Sequence, residues 1–201
     1  MNWQTCKGLI RSDYQRLKSR KSGGGVKSSF LACYFLDDTF PLIVWFRIGS
    51  YLQSCRNPIA RILYAFVWFV YRHKEHKLSI QLPLGTHIGG GLRFPHYGSI
   101  VIAQSSIIGE NATIHNDVTI GRSFGESSEG CPKLGDSVVV FAGAKLVGNI
   151  EIGNNVVIGA NSVVNKSFPD KSVVAGTPGK IISTDSSRCF NEYWSKAFCQ
   201  K

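Results

Sequence analysis

The chain has 201 residues, of which 43% are hydrophobic, and a formal net charge of +10. This length suits one domain with an appendage, and the apolar content is enough for a buried core. The six cysteines show no CxxC spacing, which excludes a zinc-ribbon type of site and argues against a disulfide framework.

Positive charge is concentrated in residues 1–80, which carry thirteen Lys or Arg against four acids. Such asymmetry indicates an anionic partner surface, such as acidic lipid or a polyanionic glycan, or else simply a solvated face. Because no nucleic-acid-binding motif occurs, we expect no nucleic acid partner. The N-terminus lacks the apolar core of a signal peptide, so we expect a cytoplasmic protein.

Residues 1–77 are predicted to form a basic, mostly helical segment. Its first part ends in the glycine-rich run 21–27, which is typical of a flexible joint, so we expect a short helix at most before it. Pro41 follows a capping residue and predicts a helix through about Ser54. Pro58 repeats this signal and predicts a second helix, with apolar residues at helical spacing after it.

The apolar stretch 62–71 in the second helix is too short to span a bilayer, which takes about 20 residues. Tyr64, Trp68 and Tyr71, flanked by basic residues, are typical of a helix at a membrane interface. The helix therefore either packs on the rest of the protein or a sister subunit, or associates peripherally with the inner membrane.

From residue 78 onward the sequence has a six-residue period. An aliphatic residue occupies every sixth position, and a second small or apolar residue precedes each by two positions. Six residues do not fit the 3.6-residue helical period, but they fit a flat strand followed by a tight turn. Three such sides make one coil of a β-solenoid, which we place at 78–182. The clearest run of aliphatic positions is Leu134, Val140, Leu146, Ile152, Ile158 and Val164.

Two breaks in this period predict loops. The spacing from Phe94 to Ile102 exceeds one repeat by two residues, and that from Ile120 to Leu134 exceeds two repeats by two. Because stacked coils must stay in register, we expect the surplus to be extruded and to carry function. The predicted loops are 95–99 and 122–132.

The end of the chain is predicted to be a turn at 165–171, a last strand within 173–182 and a polar tail at 183–201. The tail contains aromatic residues that could pin it to another surface: Phe190, Tyr193, Trp194 and Phe198.

With this frame in place, residues 82–182 resemble the hexapeptide-repeat acyltransferases, which fold as a left-handed parallel β-helix. Within that family they resemble the serine acetyltransferase branch, especially its relatives in capsular and exopolysaccharide gene clusters. The resemblance implies a homotrimer or hexamer that binds acetyl-CoA in the grooves between neighbouring solenoids and uses no metal. It rests on the segments 94–102 (FPHYGSIVI), 117–121 (DVTIG), 131–135 (CPKLG), 141–150 (FAGAKLVGNI) and 175–180 (AGTPGK).

His96 matches the histidine that acts as general base in this family. An alcohol does not attack a thioester until its proton is removed, and imidazole titrates close to neutral pH. His115, beside the core residue Ile114, is a competing base and a candidate acceptor-site residue. Tyr97 is a further acceptor-site candidate.

Three positions depart from the serine acetyltransferase pattern. That branch has aspartate where this chain has Gln81 and Pro95, and histidine where it has Cys131. Gln81 and Cys131 are kept as acceptor-site candidates. The group that orients His96 stays open among Gln81, Glu110, Asp117 and a backbone carbonyl.

The resemblance also marks residues expected to bind acetyl-CoA. Small residues let backbone groups approach the pantetheine arm, and a lysine suits the phosphate groups of the nucleotide. Lys166 is a weaker candidate for the phosphate contact. The expected cofactor-binding residues are Gly121, Ala142, Gly143, Ala160 and Lys180.

These observations predict an O-acetyltransferase that moves acetyl from acetyl-CoA to a hydroxyl of a capsular or exopolysaccharide sugar. A sugar is favoured because its uncharged hydroxyl needs no carboxylate, whereas the ammonium group of serine does. The sugar could be part of a nucleotide sugar, a lipid-linked unit or a finished polymer. The alternative is a serine O-acetyltransferase of cysteine biosynthesis, and a non-catalytic β-solenoid scaffold is the third hypothesis.

Overall fold

Four helices precede a stack of short strands in the computed structural model, which describes residues 1–21, 29–123 and 129–190. The helices are α1 (Trp3–Lys21), α2 (Phe30–Leu36), α3 (Phe40–Ser54) and α4 (Pro58–Leu78). The strands are β1 (Ile80–Gln81), β2 (His87–Ile88), β3 (Ile100–Ile102), β4 (Ile107–Ile108), β5 (Thr113–Ile114), β6 (Thr119–Gly121), β7 (Lys133–Leu134), β8 (Val139–Val140), β9 (Lys145–Val147), β10 (Glu151–Ile152), β11 (Val157–Ile158), β12 (Val163–Val164), β13 (Val173–Ala175) and β14 (Lys180–Ser183).

The strands form three sheets, one on each side of the coil. Sheet A has the order β1-β3-β6-β9-β12, sheet B has β10-β7-β4-β2, and sheet C has β14-β13-β11-β8-β5. The strand pairs within them are parallel, apart from the final antiparallel pair of β13 with β14. This arrangement confirms the predicted left-handed parallel β-helix with a helical segment before it.

The interior is built from the period-six residues. Ile102, Ile108, Ile114 and Ile120 are all buried, and so are the residues that precede them by two positions. Short polar residues such as Asn111 and Asn161 sit at the corners with φ near +56°, because their side chains tolerate the left-handed conformation. The predicted core is therefore confirmed position by position.

The strand register shows how the two loops are accommodated. Strand partners on successive coils are 18 residues apart between β9 and β12, 20 apart between β1 and β3, and 26 apart between β6 and β9. The loop at 95–99 thus carries two extra residues, as predicted. The loop at 122–132 carries eight, because only one side of the coil, and not two, separates Ile120 from Leu134.

Several predicted boundaries are wrong. Helix α1 has 19 residues, because its lysine, arginine, glutamine and leucine residues favour helix and Leu17 packs into a core against α2 and α3. Leu78 ends α4 and does not begin the solenoid, whose first strand starts at Ile80. The predicted turn at 165–171 contains Phe168, which is buried in the β-helix core.

Helix α2 was not predicted at all. The side chain of Ser29 caps it by accepting a hydrogen bond from the Ala32 backbone N–H at 3.2 Å, and Cys33 anchors it in the helical core. Most of the predicted joint at 21–27 lies outside the described residues, as do the tail aromatics beyond residue 190.

No helix in the described part of the chain is long and apolar enough to cross a lipid bilayer.

A buried ion pair joins the helices to the first coil. Arg47 of α3 donates from Nε to Asp13 Oδ2 of α1 at 3.0 Å, and its two terminal nitrogens donate to the carbonyls of Ile88 and Gly89 at 2.6 Å each. Asp13 Oδ1 accepts from the Leu92 backbone N–H at 2.8 Å. Burial raises the pKa of the Asp13 carboxyl, and the guanidinium of Arg47 opposes that rise.

We expect Arg47→Met to lower the free energy of unfolding by about 3–5 kcal/mol, because it leaves the Asp13 carboxylate buried without its cation. Urea denaturation measures this loss. The matched control is Lys133→Met, which breaks the exposed pair with Glu151 and should change stability by less than about 1 kcal/mol. Equal losses in the two variants would contradict the importance of the buried pair.

Candidate functional site

His96 lies in the loop at 95–99, where the chain passes from sheet C to sheet A. Gly98 and Ser99 turn the loop with φ of +111° and +53°, and the Gly98 carbonyl accepts a hydrogen bond from the Asp117 backbone N–H at 2.8 Å. The imidazole of His96 is exposed, and no hydrogen bond joins it to another described residue. The loop therefore presents a histidine that is accessible to a ligand.

A cavity of about 410 Å³ opens beside His96. The β-helix contributes one wall through residues 92–97, including Tyr97, and the other wall comes from α1 and from the turn between α2 and α3. The two walls are joined where the buried hydroxyl of Thr39 donates to the Phe94 carbonyl at 3.1 Å. The helical segment is thus part of the site.

The helical wall brings carboxylates to this cavity. Asp37 Oδ1 accepts from the backbone N–H groups of Thr39 and Phe40, at 3.1 and 2.9 Å, and so caps α3. Asp38 is exposed and lines the same cavity, with the buried Arg93 also in its wall. The sequence did not mark Asp38 as a site residue, because it reaches the cavity only through the packing of the helices on the first coil.

Two aromatic side chains continue the site from His96 along the β-helix. The ring of His115 lies 5.9 Å from that of His96, and it stacks on Phe141 at 5.0 Å with an interplanar angle of 26°. Each of these three residues lies at the corner directly after sheet C, on three successive coils. The structure therefore places His115 beside His96, half-buried against an aromatic ring.

Small residues occupy the same corner directly after Phe141 and on the following coils. They are Ala142 and Gly143 on one coil and Ala160 on the next, and Lys180 lies beside Ala175 on the last one. We call Ala142, Gly143 and Ala160 the small-residue strip. Because coils are spaced about 4.8 Å apart, the coil of Lys180 lies about 10 Å beyond that of Ala142 and about 19 Å beyond that of His96.

Gly143 fits its place for a steric reason. Its φ is +78°, and a Cβ atom there would lie 1.9 Å from Oδ1 of Asn161 on the next coil. A side chain at this position would therefore disrupt the turn of the corner.

Three of the predicted site residues lie elsewhere. Gly121 and Cys131 are at the corner between sheets A and B, across sheet A from His96. Gln81 lines a different pocket together with Arg72 and Glu75. Within one chain, these residues are not brought to the histidine.

The other candidates for orienting His96 are also engaged or distant. Asp117 accepts from Lys145 Nζ at 2.8 Å, and Glu110 lies at the opposite corner, in a cavity beneath α1 and α3. The weaker phosphate candidate, Lys166, lies over the ring of Phe168, 5.6 Å from its centre. Among the residues that the structure describes, no cluster of three His, Cys, Asp or Glu side chains could hold a metal ion.

Comparison with known proteins agrees with this architecture. A family model described as bacterial transferase hexapeptide (six repeats) matches residues 131–166. A serine acetyltransferase from Staphylococcus aureus is 44% identical over 110 residues, covering 55% of this chain and 52% of the relative. This chain thus spans about half the length of that relative.

Two further matches extend over most of the chain. A serine acetyltransferase from Synechococcus elongatus is 32% identical over 174 residues, covering 86% of this chain and 67% of the relative. The crystal structure of serine acetyltransferase from Brucella abortus strain S19, in complex with coenzyme A, superposes with a TM-score of 0.73 at 26% identity. That superposition covers 89% of this chain and 68% of the other.

The prediction of a capsular or exopolysaccharide sugar as acceptor is wrong on these findings. The relatives and the solved structures are serine acetyltransferases, which favours the alternative hypothesis. The prediction relied on the loss of the aspartates that Gln81 and Pro95 replace. The fold restores carboxylates to the cavity from Asp37 and Asp38, which are distant in the sequence.

We expect Gly143→Ala to destabilise the protein by about 1–3 kcal/mol, because the new Cβ meets Asn161 and the residue keeps a left-handed φ. Thermal unfolding measures the effect. Gly121→Ala is the matched control, since a Cβ there would meet only ordinary contacts of 3.4 Å or more. That variant should change stability by less than about 0.5 kcal/mol.

Proposed function

This chain belongs to the hexapeptide acyltransferase family, with serine acetyltransferases as its relatives, and we propose that it transfers the acetyl group of acetyl-CoA to the hydroxyl of L-serine. The observation that carries this proposal is the position of His96. His96 lies between a cavity with an exposed carboxylate and the row formed by His115, Phe141 and the small-residue strip.

His96 is the proposed general base. The loop leaves its imidazole accessible, so that it can accept the proton of a hydroxyl in the cavity while the oxygen bonds to the acetyl carbonyl carbon. As the carbon–sulfur bond breaks, the imidazolium returns this proton to the departing sulfur. His115 lies beside His96 and stacks on Phe141, so it borders the path from the base to the small-residue strip.

Asp38 is the proposed contact for the ammonium group of serine. Its carboxylate is exposed at the cavity that His96 lines, and Asp37 adds negative charge beside it. A charge-assisted hydrogen bond from an ammonium group is stronger than a neutral one. The cavity therefore favours an amino acid over an uncharged alcohol as acceptor.

The small-residue strip is the proposed site for acetyl-CoA, which supplies the activated thioester. The small side chains of Ala142 and Ala160 leave room at the surface for an extended pantetheine arm, and Lys180 is exposed at the far end for a phosphate. We infer that a neighbouring copy lies against this strip in a homotrimer, the assembly that the family resemblance implies.

Replacement of the base tests the proposal. We expect His96→Ala to lower the rate of serine-dependent CoA release by about 10²–10⁴-fold, because the hydroxyl keeps its proton. The assay measures free thiol produced from acetyl-CoA with and without L-serine.

The matched control is His87→Ala, since His87 is an exposed histidine at the end of sheet B nearest the helices, away from His96. It should retain the wild-type rate. A wild-type protein that releases no CoA in response to serine would refute the proposed acceptor.

The acceptor contact is tested separately. We expect Asp38→Asn to raise the KM for L-serine about ten- to hundredfold, because the ammonium group loses its charged partner. Turnover of 3-hydroxypropionate, which has the hydroxyl and carboxylate of serine but no ammonium group, should be unchanged by this substitution.

Glu151→Gln serves as the control, because Glu151 is an exposed carboxylate on sheet B paired with Lys133. An equal loss with both acceptors in Asp38→Asn would show that Asp38 acts on the fold of the cavity and does not bind the ammonium group.

A further inference from the structure

Helix α4 exposes an apolar stripe to solvent. Ile59, Ile62, Leu63, Phe66 and Phe69 recur at helical spacing, and each has between 50% and 73% of its surface exposed. The opposite face of the helix is already buried against α3 and the first coil through residues such as Val67 and Tyr71. The stripe is therefore not needed for packing within the chain.

The stripe continues onto α2 through a row of aromatic side chains. Phe66 lies 6.4 Å from the ring of Trp45, whose indole N–H donates to the hydroxyl of Tyr34 at 2.8 Å. Tyr34 in turn lies 5.3 Å from the exposed Phe35, next to Leu36, which is 80% exposed. Soluble proteins rarely leave so large a continuous apolar surface without a partner.

Basic residues lie at both ends of α4 and along its side. Residues 55–78 contain five Lys or Arg and a single acid, Glu75, which is buried and accepts from Arg72 and from the Leu82 backbone N–H. Burial lowers the pKa of Lys74, and the charge of Lys77 lowers it further. The surface around the stripe is thus positively charged. The five basic residues are Arg56, Arg61, Arg72, Lys74 and Lys77.

From this pattern we propose that α4 and the adjoining face of α2 dock on a membrane surface containing anionic phospholipid. The apolar side chains would enter the boundary between headgroups and acyl chains, and the basic side chains would contact lipid phosphates. The aromatic residues Tyr34, Trp45 and Trp68 suit the same boundary, since each combines an apolar ring with a polar group. The β-helix and the His96 cavity would then be held close to the membrane.

A second copy of the chain is a poorer occupant of this face. Antiparallel pairing of two α4 helices would bring Arg56 and Arg61 of one copy near Lys74 and Lys77 of the other, and parallel pairing would place identical cations together. Like charges at an interface cost binding energy, whereas an anionic bilayer complements them. The charge pattern therefore favours lipid.

The experiment is vesicle co-sedimentation of the full chain at low salt. We expect binding to vesicles of phosphatidylcholine and phosphatidylglycerol at 7:3, at least tenfold weaker binding to pure phosphatidylcholine, and release as salt screens the charges. The variant Phe66→Ser/Phe69→Ser should lower the partition coefficient at least tenfold. The matched control, Ile181→Ser/Ile182→Ser, changes two exposed apolar residues of β14 at the far end of the β-helix and should bind like wild type.

Circular dichroism and thermal unfolding establish that both variants fold. The proposal is overturned if wild type does not bind the anionic vesicles, or if the two double variants bind equally well. It is also overturned if Phe66→Ser/Phe69→Ser binds vesicles normally and alters only the molecular mass in light scattering, since the face would then join copies of the chain. None of these results bears on serine acetylation, which is measured without lipid.

Discussion

The ion pair between Asp13 and Arg47 is the contact on which the rest of the site depends. It is buried, and it joins two helices to backbone groups of the first coil. Such a pair is costly to bury and tolerates little displacement, so it fixes where α1 and α3 stand on the β-helix. The turn before α3 is thereby held over the loop at 95–99, and the cavity beside His96 exists because of that placement.

The β-helix contributes regularity of another kind. Each coil repeats the same three sides, so a residue at one corner stands directly above its counterpart on the next coil. His96, His115 and Phe141 are aligned by this stacking, as are Ala142 and Ala160 after them. Small residues that are far apart in the sequence are therefore evenly spaced in the structure, and they can contact an extended ligand along its length.

Much of this fold could be predicted from the sequence, because a six-residue period is a local pattern that each coil repeats. The resemblance to the hexapeptide acyltransferases marked His96, Ala142, Gly143 and Ala160 as candidate site residues. The wall formed by Asp38 could not be predicted in this way, since it depends on how α3 packs against the first coil. The loop at 122–132 was misjudged because residue spacing alone does not reveal how many sides of the coil it spans.

The division of the site between two parts of the chain has an evolutionary consequence. The strip proposed for the acyl donor belongs wholly to the β-helix, whereas one wall of the acceptor cavity is formed by the helices that precede it. Selection could therefore remodel the turn between α2 and α3 and change the acceptor without disturbing the donor strip. Recombination that exchanges the N-terminal helical segment could therefore diversify the acceptors. The new segment would need an arginine that can donate hydrogen bonds to the first coil, as Arg47 does.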